Sequence, residues 1–327
     1  TAVVTVLYYI ARSLFLSGVL REAATPLGIA IFHTSFNMFA VCILMPFTRQ
    51  LERLSCLIVK DSKKDEKIEL LDDRLLATPA VAVERCRTVT ISMAELAVAS
   101  VKQACGLLSD YSEKTAGQIR QQEEKVDLFE DRLGTYMVKL SARAMTDADS
   151  ADVNKMLHMI GDFERLSDHA VNILESTEEI HDKKLNFSSP ARQEMNVMLG
   201  AVSEILDLAL KSFKENDLDS AAMVEPLEQV VDSLKDELKK QHIMRLRKQE
   251  CTIELGFVLS DLLTNLERIA DHCSNIAGCM LEMAQDSMGL DIHEYLGKVK
   301  TGEVKEFNDY YAYFKTKYNL AAVEAAE

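Results

Sequence analysis

Asp162-Phe-Glu-Arg-Leu-Ser-Asp-His-Ala-Val-Asn-Ile173 returns 103 residues later as Asn265-Leu-Glu-Arg-Ile-Ala-Asp-His-Cys-Ser-Asn-Ile276. Six of the twelve positions are identical, where ordinary residue frequencies would give about one. A fainter pair precedes each copy: Glu123-x-x-x-Asp127 with Asp131, and Glu228-x-x-x-Asp232 with Asp236, shifted by 105. Repetition on this scale, within stretches of helical period, predicts two copies of a three-helix unit packed as two bundles.

The elements around these strings support an all-α reading. Six helical patterns run over about 79–110, 117–146, 150–180, 190–216, 219–249 and 252–286, and no segment alternates with period two. Thr78-Pro79 and Ser189-Pro190 each look like a helix cap followed by proline in the first turn. The 327 residues include only 12 Gly and 5 Pro, too few for a turn-rich all-β chain. Hydrophobic residues make up 48%, which argues against disorder. Seven cysteines form no CxxC pair, so a disulfide framework and a cysteine zinc site are both poor readings, and free buried thiols are expected.

Charge divides the chain. Residues 1–60 carry 5 basic and 2 acidic side chains, whereas residues 61–327 carry 32 and 50. Such an acidic body repels nucleic acid and attracts cations. Residues 26–47 hold no formal charge and would reach about 33 Å as a helix, enough for a bilayer core of about 30 Å. Arg49, Arg53, Lys60, Lys63, Lys64 and Lys67 follow that stretch and only Arg21 lies just before it, which would put the body on the cytoplasmic side. Residues 1–11 read as the end of a helix begun upstream. Arg12 interrupts, and 13–20 is again too short to span, so a re-entrant segment and a tilted helix both remain open. His33 and Asn37 share a face, either as polar glue between helices or as lining of a solute path. Because the chain opens at Thr1 inside an apolar run, a fragment lacking its N-terminal part is expected. The organisation expected is 1–47 membrane segment, 48–78 charged linker or stalk, 79–180 first bundle, 190–286 second bundle and 287–327 helical tail.

Glu123/Asp127, Glu164/Asp168, Glu228/Asp232 and Glu267/Asp271 are i,i+4 pairs, so each pair shares a helix face. Like charges so placed destabilise a helix by about 0.2–0.5 kcal/mol per pair. A bound cation would reverse the sign, and oxygen-rich clusters suit magnesium, calcium, manganese or iron. With 52 acidic residues about eight such pairs arise by chance, so only the duplication inside a matched string raises the signal. In the third helix Met156, Ile160, Phe163, Ala170 and Leu174 form the apolar stripe, and Glu164, Asp168 and Asn172 lie beside or opposite it on the exposed side. That placement fits a surface metal site and an ordinary solvated face equally. Arg165 and Arg268 could each pair with a carboxylate of a neighbouring helix and hold the bundle together without metal. His169 and His272 directly follow the aspartates, about 100° round the helix, and read as packing or inter-helix hydrogen-bonding residues.

These strings resemble the paired signature of PhoU domains, which are duplicated three-helix bundles, over about 79–286. The resemblance implies metal clusters, with iron, zinc, manganese or magnesium as candidates. Glu123, Asp127, Glu164 and Asp168 would serve the first bundle; Glu228, Asp232, Glu267 and Asp271 would serve the second. A PhoU-like body behind a membrane segment is similar to the C-terminal half of a bacterial Na⁺/phosphate cotransporter of the type II family, carried here by His33-Thr-Ser-Phe-Asn37 and Pro46-Phe47. That resemblance implies a multi-pass protein of the cell inner membrane with residues 48–327 cytoplasmic. It also implies Na⁺ as coupling ion, inorganic phosphate, the lipid bilayer and the chain's own membrane domain as partners, and a homo-oligomer. The family's Gln-Ser-Ser-Ser motifs are absent, so no transport residue is carried over. The alternative is a metal-free helical scaffold that recruits phosphate-signalling partners at the membrane. No enzyme is expected, because no nucleophile–base pair, glycine-rich phosphate loop or zinc motif is evident and the strings lack the Glu-x-x-His of carboxylate-bridged metal enzymes. Nothing singles out Arg85 or Arg87 as a phosphate contact. Phe307, Tyr310, Tyr311, Phe314 and Tyr318 make one helical stripe that either packs back on the bundles or forms a docking surface.

Overall fold

The computed structural model describes residues 71–286 and 305–320, together with isolated positions at Thr34, Asn37, Met38, Val41 and Met45. After a 3-10 turn at Asp73–Ala77 the helices are α1 Pro79–Leu107, α2 Glu113–Ser141, α3 Asp147–Asp182, α4 Ser189–Glu215, α5 Leu218–Arg247, α6 Ile253–Asp286 and α7 Lys305–Lys317. Among the described residues there is no strand. Helix starts follow their caps: Ser112, Thr146, Ser188 and Asp217 each accept a hydrogen bond from a backbone N–H of the first turn. Ser188, rather than Ser189, therefore caps α4, and Ser112 starts α2 four residues earlier than periodicity alone suggests. Thr78 does not cap α1 through its side chain; its hydroxyl donates to Leu75 O at 3.2 Å. Asn216, at φ 55, closes α4 in the left-handed region that asparagine tolerates.

Helices α1, α2 and α3 pack as one bundle, and α4, α5 and α6 as another. The bundles meet along α3 against α6 and α1 against α4, within one compact unit, Ile68–Glu327. Met156, Ile160, Phe163, Ala170 and Leu174 are all buried, so the stripe read from the sequence is the inner face of α3. Phe163 meets Phe213 of α4 with ring centroids 5.3 Å apart, which carries apolar packing from one bundle into the next. The 3-10 turn is held on the first bundle, where the Tyr136 hydroxyl donates to Asp72 O at 3.0 Å and Lys139 pairs with Asp73 at 3.2 Å.

The aromatic tail stripe packs back. Helix α7 lies on α5, with Phe307 and Phe314 buried. Tyr318 donates to Gly200 O at 3.2 Å and also to Glu204, and Lys317 pairs with Glu204 at 2.7 Å.

Residues 26–47, expected as a membrane span, lie outside the described residues apart from the isolated positions, as do 1–25, His33, Cys42, Cys56 and the linker up to residue 70. Among the described residues no helix is long and apolar enough to cross a membrane. The five cysteines of the described residues are free thiols; Cys86 and Cys273 are buried as expected, whereas Cys105, Cys251 and Cys279 are half-buried.

Phe163→Ala should destabilise the protein by about 3–5 kcal/mol, because a fully buried aromatic side chain shared by two bundles is lost. Chemical denaturation followed by far-ultraviolet circular dichroism checks this.

Candidate metal centre

The first acidic patch lies between α2, which brings Glu123 and Asp127, and α3, which brings Glu164 and Asp168. Glu164 and Asp168 are half-buried rather than exposed, with 20% and 35% of their side chains accessible. Burial, then the neighbouring Asp168 and Asp127 carboxylates, pushes Glu164 up to about 7. Glu123 is raised too, by burial and then by Asp127 and Asp168. Across the α2–α3 seam Asp168 therefore acts on Glu123, and Asp127 on Glu164.

The second patch repeats this between α5 and α6. Burial, followed by Glu225, Asp271, Asp232 and Glu267, pushes Glu228 up to about 7. Asp271 is raised by burial and then by Glu267. A cleft of about 340 Å³ opens here, lined by Glu225, Glu228, Arg268, Asp271, His272, Ser274 and Asn275. Sequence reasoning missed Glu225, which accepts a hydrogen bond from the Ser274 hydroxyl. The signal available was its position three residues before Glu228, on the same face of α5.

Basic side chains hold both patches. Arg165 lies 3.5 Å from Glu164 and 3.4 Å from Asp168; Arg268 lies 3.8 Å from Glu267 and 3.1 Å from Asp271. Rather than reaching a neighbouring helix, each arginine folds along its own, where a carboxylate three residues on is the nearer partner. In the second patch Lys235 crosses from α5 to Glu267 at 3.0 Å while holding Asp232 at 3.2 Å. Asp131 and Asp236 remain exposed. Among the described residues no three His, Cys, Asp or Glu side chains close on one point as metal ligands would. The donor chemistry nonetheless fits a hard cation, since each patch is all oxygen and carries more negative charge than its arginine offsets. Ligation would require Arg165, Arg268 and Lys235 to swing aside.

The rest of each repeated string joins the bundles. Asn265 Oδ1 takes His169 Nδ1 at 2.9 Å and the Asn172 amide at 3.3 Å. Reciprocally, Asp162 Oδ1 takes His272 Nδ1 at 2.9 Å and the Asn275 amide at 3.2 Å. The two imidazoles lie side by side between these contacts, ring centroids 5.5 Å apart. Positions 1, 8 and 11 of each string therefore form a two-way clasp across α3 and α6, and the histidines act as inter-helix hydrogen-bonding residues. Burial lowers the His169 pKa, which favours the neutral ring with Nδ1–H facing Asn265. The Asn265 amide nitrogen is already committed to Asp261 O at 2.9 Å, leaving its oxygen to accept.

A family model described as PhoU domain matches residues 90–177 and 195–280, one match in each bundle. The chain is 26% identical over 147 residues to the phosphate-specific transport system accessory protein PhoU homolog 1 of Thermotoga maritima, covering 45% of this chain and 61% of that protein. It is 26% identical over 197 residues to the phosphate-specific transport system accessory protein PhoU homolog of Xylella fastidiosa, covering 60% and 81%. The crystal structure of PhoU from Pseudomonas aeruginosa superposes with a TM-score of 0.59 at 22% identity, covering 63% of this chain and 99% of that one. The Streptococcus pneumoniae phosphate transport system regulatory protein PhoU superposes at 0.55 and 17%, covering 63% and 96%. The family matches lie in the bundles, and the relatives correct the transporter reading. The relatives are named as accessory or regulatory proteins of phosphate transport, so neither sodium symport nor a multi-pass place in the inner membrane has support.

Glu164 and Glu228 hold their protons more tightly folded than unfolded, from an ordinary value of 4.5 to about 7. Their stabilising effect is full below about 4.5 and is lost as pH rises through about 7. In chelator-treated protein the melting temperature should fall between pH 5 and pH 8, and Glu164→Gln with Glu228→Gln should flatten that fall, as calorimetry would show. Asp162→Ala should cost about 1–3 kcal/mol by leaving His272 and Asn275 without their acceptor, read by urea denaturation.

Proposed function

The chain belongs to the PhoU domain family, and from that premise we propose that it is an accessory regulator of phosphate uptake whose two acidic patches bind metal ions. Glu123, Asp127, Glu164 and Asp168 would hold metal in the first bundle. Glu228, Asp232, Glu267 and Asp271 would do so in the second, with Glu225 at its margin. Iron, zinc, manganese and magnesium are the candidates; the all-oxygen donor set favours the harder ions. A bound cation would supply a positive charge, open to an anion such as phosphate on its free side.

One observation carries the reading: Glu164 and Glu228, matched members of two patches, are both driven to about 7 by burial and neighbouring carboxylates. A fold that keeps such repulsion at equivalent seams gains most when a cation relieves it. The patches sit one residue from the clasp, because Asp168 precedes His169 and Asp271 precedes His272. Binding at either seam would therefore stiffen the helix that grips the other bundle. Partner proteins of the phosphate transport system would read that state, directly or through a homo-oligomer.

A second reading, a metal-free scaffold, is favoured by Lys235, whose ammonium bridges Glu267 and Asp232 where a cation would sit. The two readings separate by elemental analysis of the purified full chain. Metal should copurify or load to saturation, and Asp168→Asn combined with Asp271→Asn should remove most of it without unfolding the protein. Equal metal content in that double variant would defeat the ligand assignment and leave the scaffold.

A further inference from the structure

Helices α5 and α6 run antiparallel, joined by a short turn over residues 248–252. Around that turn four large apolar side chains face solvent: Ile243 is 50% exposed, Met244 45%, Ile253 71% and Phe257 70%. A Cβ built on Gly256 would meet His242 Nε2 at 2.6 Å, so residues 242 and 256 mark the line along which the two helices touch. Ile243 and Phe257 each follow that line by one residue, about 100° round the helix. In an antiparallel pair both rotations open to the same side. Ile253, three residues before Gly256, lies about 60° round to that side as well, with Met244 beyond Ile243.

The repeated scaffold does not need these residues. The shifts that align the two halves place Val138, Lys139, Ser150 and Asn154 at the corresponding end of the first bundle, where only Val138 is apolar. The first hairpin folds with polar residues at three of the four places. That end of the first bundle exposes only Val81 and Val138, and the larger apolar group on the second marks an interaction surface.

Charge identifies what it takes. Residues 239–249 hold Lys239, Lys240, Arg245, Arg247 and Lys248 and no acidic residue, in a chain of net charge −15. Arg245 is used internally, in a buried two-pronged pair with Glu194 at 2.6 and 2.9 Å. Arg247 and Lys248 are exposed beside the apolar group, as are Lys240, which also pairs with Glu237 at 3.5 Å, and Glu250 in the turn. Nearby Glu254 is already paired with Lys183 at 2.7 Å. We propose that the α5–α6 tip docks an amphipathic helix of a partner protein, its apolar side chains on Ile243, Ile253 and Phe257 and its Asp or Glu residues against Lys240, Arg247 and Lys248. An anionic bilayer is the poorer occupant. Asp232 and Asp271 lie on the same side of the hairpin, Asp271 about 21 Å along α6 from Phe257. A flat anionic surface would meet them, whereas one helix, about 10 Å wide, need not. The proposal stands whether or not the acidic patches hold metal.

The test is fluorescence anisotropy of the full chain with a labelled 20-residue helical peptide bearing leucines at i, i+3, i+4 and i+7 and glutamates elsewhere. The molecule's overall charge repels this peptide, so binding reports a local complement. It should bind, weaken as salt is raised, and lose at least tenfold in affinity in Phe257→Ser and in Arg247→Glu with Lys248→Glu. Val138→Ser, at the other tip, should leave it unchanged. Both serine positions are exposed, and unaltered melting curves confirm intact folding. No binding, or binding that survives Phe257→Ser, overturns the proposal. So does Phe257-dependent attachment to phosphatidylglycerol vesicles or a Phe257-dependent dimer in place of peptide binding.

Discussion

Two bundles of three helices could each close alone, yet here they share a seam built from the same three string positions used twice. Asp162 receives His272 and Asn275; Asn265 receives His169 and Asn172. Each acceptor takes its donors from the other copy, so these contacts close only when the two copies meet. Half-buried groups of this kind are costly to leave unmade. The arrangement ties the register of α3 to that of α6, and it fixes where the acidic seams at α2–α3 and α5–α6 lie relative to one another. Phe163 against Phe213 supplies the apolar part of the same junction.

Much of this was legible from periodicity. The helices appear where 3.6-residue patterns run, and the buried stripe of α3 is the one projected, because a helix surrounded by neighbours must hide its apolar face. Legibility failed where the answer depends on which helix lies opposite. The histidines could be assigned to inter-helix bonding from their direction, but Asp162 and Asn265 could not be named as acceptors, since each lies about a hundred residues from its donors. Arg165 and Arg268 could have crossed to a neighbouring helix, yet each pairs with the i,i+3 carboxylate on its own. Glu164 and Asp168 were placed on the exposed side; the seam with α2 half-covers them. The early start of α2 was missed because a single Ser112 hydroxyl outweighs several residues of periodic pattern.

Repetition also conceals what it does not repeat. A search for matching residues is silent about positions where the copies disagree, and here those positions carry chemistry. The shift that aligns Glu123 with Glu228 sets Arg120 opposite Glu225 and Glu130 opposite Lys235. In the first bundle Arg120 forms a two-pronged pair with Glu178 at 2.9 and 2.6 Å, whereas Glu225 adds a carboxylate to the second seam. Lys235 then restores part of the balance. The two patches are therefore alike in outline and different in electrostatics, and two such sites need not share one cation affinity.

The disagreements gather in the second half. Buried Leu140 corresponds to Arg245, so an apolar position of the first bundle holds one half of a buried ion pair in the second. Burying such a pair seldom adds stability over well-packed apolar residues, so its presence follows from something other than the strength of the core. It anchors the end of α5 to the start of α4, directly beneath the exposed Ile243 and Met244. His242, one turn away, fits only because residue 256 is glycine. Helix α7 rests on the same α5 and has no described counterpart on the first bundle. A rigidly tied α5–α6 tip, backed by a buried ion pair and an added helix, is what a surface for another molecule requires. Among the described residues the first bundle has no such ion pair and no added helix.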